Sequence, residues 1–248
     1  VFWDDNPIER EKVRIRVPDV AVIDPPKNIF DWPQYLKNLN FFSKFKITAE
    51  DKKKKEQYKI RSKFIEGKNT FVSETDYLKS INLDPKIIKI SNDNLSRASQ
   101  LSQKTNQFNF RTIRYSESDI KNKKNKIDED IFMVSLNDIY GDHGNIALVS
   151  LKKINDEEIF LENFLMSCRV IGRYLEYWIL KKIIDKCNSL GVKKLKIQYL
   201  ITKKNKMILD FIKQLHISEP QNFDKDNIQI EINIKKFKVP NIEIFKNN

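Results

Sequence analysis

The sequence predicts an α/β protein in which a mixed sheet with helices fills the larger, later part of the chain and a small, separate piece of α/β sheet precedes it. Three observations predict this. Ile228, Ile230, Ile232 and Ile234 alternate with polar residues, the period of a strand with one buried face. Residues 159–201 read as strand, long helix, strand, the unit of a parallel crossover. Residues 1–23 read as strand, helix, strand on their own, too little to close a core.

The chain opens on Val1-Phe2-Trp3-Asp4-Asp5-Asn6. An apolar run ending in adjacent carboxylates is how an open α/β sheet presents its carboxyl edge, where such sheets gather ligands. Neighbouring carboxylates repel unless a cation such as Mg²⁺ or a hydrogen-bond network neutralises them. Asp4 and Asp5 are therefore candidate metal ligands, and equally a cap-and-turn feature. Asn6 suits a helix cap, Pro7 the first helical position and Glu9 the third, which predicts a helix over 7–16. Residues 20–23 form a short strand stopped by Asp24-Pro25-Pro26. The piece 1–48 is expected to be the truncated tail of a larger domain, with residues 1–3 an interior strand lacking its neighbour. Its aromatic stretch, Phe30, Trp32, Tyr35, Phe41, Phe42 and Phe45, must pack on something.

Thr48 with Asp51, and Ser73 with Asp76, resemble helix starts. The first of these helices is Lys-rich and runs to Gly67; the second carries Tyr77, Leu78 and Ile81 and is broken by Asp84-Pro85. Residues 49–84 thus read as a helical connector, and 85–248 as one continuous domain. Within it the pattern predicts a strand at 87–90, a helix at 95–104, and a hairpin of strands 131–136 and 146–151 around the turn-rich Asn137 to Gly144. A strand at 159–166, a helix at 172–189 ended by Gly191, a strand at 195–201, a helix at 205–215 and the closing strand at 228–234 follow.

Composition excludes several classes. A chain of 248 residues with 40% hydrophobic and 11% aromatic residues can bury an ordinary core. The net charge of +12 invites a nucleic-acid reading. Lys far outnumbers Arg, however, and the clearest runs, Lys52 to Lys55 in a helix and Lys121 to Lys126 in a loop, lack interleaved aromatics on which bases would stack. These are solvated faces, able to attract an acidic protein partner. Cys168 and Cys187, read as a buried strand end and a helix position, have neither zinc-site nor disulfide spacing. No apolar stretch approaches a membrane span and no signal peptide is visible, so a cytoplasmic protein is expected.

Four segments can carry chemistry. Ser167-Cys168-Arg169-Val170-Ile171-Gly172-Arg173-Tyr174 stands where a strand hands over to the long helix, where free backbone N–H groups can hold an anion, though an ordinary turn has the same look. Cys168 is a candidate nucleophile or thioester carrier, since Arg169, Arg173 and a helix start would each favour its thiolate; a small buried apolar residue is the alternative. Gln100 to Thr112 is dense in amides and hydroxyls, with Lys104, Arg111 and Arg114 available for a phosphate or carboxylate; a capped loop would look the same. Thr202-Lys203-Lys204-Asn205 precedes a helix in which Phe211 has no hydroxyl to act as proton donor. His143 and His216 read as incidental.

The order of elements after residue 85 resembles the GNAT acyltransferase fold. The likeness implies that Arg169, Gly172, Arg173 and Asn205 contact the pyrophosphate or pantetheine of acyl-coenzyme A, with Tyr174 bulky where the family has a small residue. Four strings together, DDNPIEREKVR, SQLSQKTNQFNFRTIRYSESDI, NDIYGDHGNIALV and FLMSCRVIGRYLEYWIL, resemble FkbH-like proteins, in which a HAD phosphatase-type domain precedes a GNAT-like domain. That resemblance implies Asp4 and Asp5 as Mg²⁺-binding carboxylates of the last acidic HAD motif, in a metal site incomplete in this chain. It implies Lys104, Thr105, Asn106, Gln107, Asn109 and Arg111 as substrate-binding residues, and a small phosphorylated three-carbon acid whose glyceryl unit is loaded onto the phosphopantetheine thiol of an acyl carrier protein in polyketide or surface-polysaccharide biosynthesis. The alternatives are a GNAT N-acyltransferase using acyl-coenzyme A on a sugar or small amine, and a basic nucleic-acid module, which steep salt dependence of binding would reveal. Without an attacking carboxylate upstream, Asp4 and Asp5 cannot turn over a phosphoryl ester. The 248-residue chain is expected to release no phosphate from a phosphorylated acid in the presence of Mg²⁺, as a colorimetric phosphate assay would read.

Overall fold

A computed structural model describes residues 1–42, 54–217, 221–224, 226–240 and 242–246. The chain divides into two compact units, Val1–Ile47 and Thr48–Asn248. The expected helix start at Thr48 and Asp51, together with Phe45 and the run Lys52–Lys53, lies outside the described residues.

In the first unit β1 (Phe2–Trp3) pairs in parallel with β2 (Val22–Ile23). The opening strand therefore has a neighbour. Between them α1 (Pro7–Arg16) starts where its residues direct: Asn6 Oδ1 accepts the Ile8 N–H at 2.9 Å, Pro7 opens the helix, and Arg14 and Arg16 face the negative end of its dipole. Trp32 and Tyr35 of α2 (Trp32–Lys37) lie 5.5 and 5.9 Å from the Trp3 ring. Phe30 and Phe41 stay exposed, so the aromatic stretch packs only in part.

The second unit is built on one sheet of order β3-β5-β6-β7-β8-β10-β9, with β4 (Phe108–Asn109) paired to β7 alongside this path. Its strands are β3 (Asp84–Lys89), β5 (Glu129–Asp138), β6 (Gly141–Lys153), β7 (Glu158–Met166), β8 (Lys194–Leu200), β9 (Gln221–Asp224) and β10 (Asn227–Asn233). Every pairing is antiparallel except β7 with β8, which α7 (Leu175–Ser189) connects. This is the predicted mixed sheet.

Alternate residues of the central strands face opposite sides. Val134, Ala147, Val149 and Phe164 point into the larger core, which α7 and α8 (Met207–Gln214) cover, while Met133, Leu148 and Leu165 join Ala98, Leu101 and Ile120 on the other face. With both faces covered, the strands read as continuous apolar runs. On β10 the isoleucines are buried and their polar neighbours exposed, as the alternation requires.

Four local expectations need correction. Asp84-Pro85 does not merely end a helix: both residues open β3, and Pro85 is tolerated because β3 is an edge strand whose missing donor faces no partner. Lys121 to Lys124 lie in α6 (Glu117–Lys124), started by a reciprocal cap in which Ser116 Oγ accepts the Asp119 N–H at 3.1 Å and Asp119 accepts the Ser116 N–H at 2.8 Å. The hairpin turn is shorter than its sequence suggests, since pairing continues to Asp138↔Gly141 and leaves only Ile139 and Tyr140 in the loop. Residues 49–84, expected as a connector, contribute Phe64, Tyr77, Leu78 and Ile81 to the larger core from α3 (Lys54–Lys68) and α4 (Glu74–Ser80). Among the described residues no helix is long and apolar enough to cross a membrane.

Candidate functional site

A cavity of about 860 Å³ opens beyond the carboxyl ends of the parallel strands β7 and β8. Open α/β sheets leave their ligand crevices at that edge, because the connections depart there on different sides. Four segments line it: Tyr58 and Arg61 from α3; Arg97, Gln100, Leu101 and Lys104 from α5 (Leu95–Lys104), continuing into Thr105, Asn106 and Gln107; Ser167, Cys168 and Arg169 after β7; and Lys203 and Lys204 after β8. Six of these residues are cationic and none is acidic. In a partly desolvated recess this arrangement favours a polyanion.

The α5 contribution follows from helix geometry. Arg97, Gln100, Leu101 and Lys104 are spaced i, i+3, i+4 and i+7, one stripe of the helix. Arg97 Nη1 donates to Gln100 Oε1 at 2.5 Å and its Nη2 to the Asn145 carbonyl at 2.7 Å, which fixes the guanidinium at the cavity wall. Arg61 donates to the Cys168 carbonyl and so ties α3 to the turn after β7.

The predicted residues separate into two groups. Lys104, Thr105, Asn106, Gln107, Cys168 and Arg169 meet at the cavity although two stretches some sixty residues apart supply them. Cys168 is exposed rather than buried, because β7 ends at Met166 and a 3-10 turn, Cys168–Val170, carries the chain outward. Arg169 lines the wall and donates to the His143 carbonyl at 3.1 Å. The other expected contacts turn inward. Arg173 is fully buried, with Nε 3.4 Å from Asp138 Oδ2 and its guanidinium carbon 3.7 Å above the Phe64 ring. Asn205 is likewise buried: Oδ1 accepts the Thr202 N–H at 2.7 Å, and Nδ2 donates to the carbonyls of Asn109 and Leu200. Asn109 holds its own loop through Thr105 and Thr112, and Arg111 donates to the Glu162 carbonyl while lying over Phe160. Neither Asn109 nor Arg111 lines the cavity.

The handover into α7 runs through two left-handed residues, Gly172 at φ 87° and Tyr174 at φ 55°. Glycine adopts this conformation freely; tyrosine does so at a cost of about 1 kcal/mol or more.

His143, read as incidental, is buried and places Nε2 2.8 Å from Asp138 Oδ2. Burial pushes the Asp138 carboxyl up, but the adjacent His143 imidazole and the Arg173 guanidinium outweigh this and hold it below the ordinary carboxylate range. One carboxylate thereby anchors the β5–β6 hairpin and the loop before α7.

Glu176, in the first turn of α7, has the opposite environment. Burial raises its carboxyl to about 7, and Oε2 has no hydrogen-bond partner among the described residues. The unfolded chain loses this proton near the ordinary value while the native state keeps it, so native stability falls as pH rises from about 4.5 to about 7. Glu176→Gln is expected to flatten that decline and raise the midpoint of urea unfolding at pH 8, with little change at pH 4.

In the first unit Asp4 Oδ1 accepts the Asn6 N–H at 2.8 Å, and Arg10 Nη1 donates to the carbonyls of Asp4 and Asp5 at 2.9 Å each. A guanidinium already stands at this strand edge. Among the described residues no three His, Cys, Asp or Glu side chains gather as a metal-ligand set.

No known family profile matches the chain, and no curated protein does. Among solved structures it is similar to the ribosomal-protein-S18-alanine N-acetyltransferase from Escherichia coli, at 16% identity over 60% of this chain and 94% of that one, with a TM-score of 0.45. It is also similar to the spermidine N-acetyltransferase from Vibrio cholerae in complex with CoA and spermine, at 14% identity over 62% and 97% of the two chains and a TM-score of 0.46. A third is the Campylobacter jejuni N-acetyltransferase PseH, at 14% identity over 61% and 97% and a TM-score of 0.41.

Sequence reasoning missed Tyr58, Arg61 and Arg97 as cavity residues, and singled out Gln100, Lys203 and Lys204 only as members of longer segments. The stripe on α5 was available as a signal; nothing in sequence brings Arg61 to the site.

Proposed function

We propose that the second unit is a GNAT-type acyltransferase domain that takes its acyl group from acyl-coenzyme A and passes it to a sugar or small amine. The observation that carries this reading is the cavity at the carboxyl edge of the β7–β8 pair, lined among the described residues by six cations and no acid. Such a wall suits the phosphates of coenzyme A. In the transfer the amine nitrogen bonds to the acyl carbon, the carbon–sulfur bond breaks, and the thiol leaves with the proton the amine gives up. The free Cys168 and Cys187 support a reducing, cytoplasmic setting.

Calorimetric titration with acetyl-coenzyme A tests the donor. Binding is expected to saturate and to weaken with salt. Lys203→Ala and Lys204→Ala should each raise Kd about tenfold, the usual worth of a charge-assisted hydrogen bond. A double variant that binds as tightly as the parent chain would overturn the assignment.

A second reading has its own observation: the KTNQ and SCR strings that carry the FkbH-like resemblance converge on this one cavity, with Cys168 exposed between them. In that reading the opening unit is a HAD remnant whose Mg²⁺ site Asp4 and Asp5 would share, and Cys168 Sγ bonds to the acyl carbon of a three-carbon acyl phosphate as the carbon–oxygen bond to phosphate breaks, so that inorganic phosphate leaves and a glyceryl thioester remains. Exchange with the pantetheine thiol of an acyl carrier protein then returns the cysteine thiol. A glyceryl mass increment on the chain that is absent in Cys168→Ala would support it; an increment unaffected by that substitution would exclude Cys168.

A further inference from the structure

β7 and β8 pair only from Glu158↔Lys194 to Leu161↔Ile197. Beyond that point the two strands part, and parting strands leave main-chain N–H and C=O groups that need partners. An extended ligand arm carrying amides is a natural filler for such a gap, since it can add itself as a strand.

Here the chain supplies the filler. Phe108 pairs with Met166 and Asn109 with Leu165 in an antiparallel ladder. The Phe110 N–H then donates to the Phe164 carbonyl at 3.0 Å, and the Leu200 N–H donates to the Phe110 carbonyl at 2.8 Å. Residues 108–110 thereby bridge β7 on one side and the exit of β8 on the other. Asn205 Nδ2 donates to the Asn109 carbonyl at 3.0 Å and to the Leu200 carbonyl at 2.9 Å, which locks the bridge across both strands. Phe108, Asn109 and Phe110 are at most 2% exposed, and the Phe110 ring stacks on Phe164 at 5.6 Å. A segment this buried and this fully bonded is a fixed part of the sheet.

We propose that the cavity holds its acyl donor through the phosphorylated head alone, and that the pantetheine arm lies outside the sheet instead of between β7 and β8. This rests on the reading of the donor as acyl-coenzyme A. The cationic wall recognises the phosphorylated nucleotide end, and the arm's amides meet no open strand. Selectivity therefore resides in the charge of the head.

The test is calorimetric titration of the full chain with three probes: coenzyme A, adenosine 3′,5′-bisphosphate and pantetheine. Coenzyme A and the bisphosphate are expected to bind within about threefold of each other, and pantetheine to bind at least about a hundredfold more weakly. Hydrogen exchange should show the amides of Phe110 and Leu200 equally protected with and without coenzyme A. Two main-chain hydrogen bonds to the arm would instead make coenzyme A about thirtyfold tighter than the bisphosphate. That result, or loss of protection at Phe110 and Leu200 on adding coenzyme A, would overturn this inference while leaving the donor assignment standing. Absence of binding by both phosphorylated probes would overturn the donor assignment and this inference with it.

Discussion

Asp138→Ala should lower the unfolding free energy by about 3–5 kcal/mol, the cost of leaving a buried charge without its partner. The Asp138 and Arg173 side chains are both fully buried and lie 3.4 Å apart, and His143 meets the same carboxylate at 2.8 Å. Removing the carboxylate strands two groups at once, and it also removes the Asp138 Oδ1 that accepts the Tyr140 N–H at 2.8 Å in the hairpin loop. Asp138→Asn should cost less, because it keeps an acceptor for Tyr140. The double change Asp138→Leu with Arg173→Met should recover most of the loss, as apolar replacements of buried ion pairs commonly do. Urea unfolding of the three variants beside the parent chain decides the matter. A loss below about 1 kcal/mol for Asp138→Ala would mean that water reaches the pair.

Phe110→Ala should cost about 3–5 kcal/mol as well, the range for deleting a fully buried aromatic ring. Phe110 is 2% exposed and touches Phe108, Phe164, Tyr199 and Phe211 as aromatic neighbours, so truncation opens a void at the centre of the larger core. Phe30→Ala is the matched control: at 86% exposure the same chemical change should stay within about 0.5 kcal/mol. Equal losses in the two variants would contradict the burial on which the bridge depends.

Local signals in the sequence were strong where one residue type decides one structural feature. Asn6-Pro7 placed the start of α1, and the isoleucine alternation placed β10, because capping and pleating act within a few residues. Gln100 to Gln107 was legible as a polar slot, since amides and hydroxyls that dense have few uses in a core. The failures share a different cause. β4 has only two paired residues and exists because β7 and β8 separate, a tertiary circumstance that no window of sequence records. Arg173 resembled its neighbour Arg169, yet one is interior and the other lines a cavity; the deciding partner, Asp138, lies 35 residues away along the chain. Asn109 and Asn205 carried the right chemistry for a ligand and use it on the chain's own backbone, Asn109 on Thr105 and Thr112, Asn205 on Asn109, Leu200 and Thr202. α6 went unseen because its Lys-rich surface masked the Ser116–Asp119 start signal.

The two thiols differ in a way that a chemist can use. Cys187 is wholly enclosed, with burial pushing its thiol up to about 11, whereas Cys168 stands in the open beside six positive charges. A maleimide dye added to the unaltered protein at neutral pH would therefore attach at one position, placing a fluorescent reporter beside the cationic recess with no engineering of the gene.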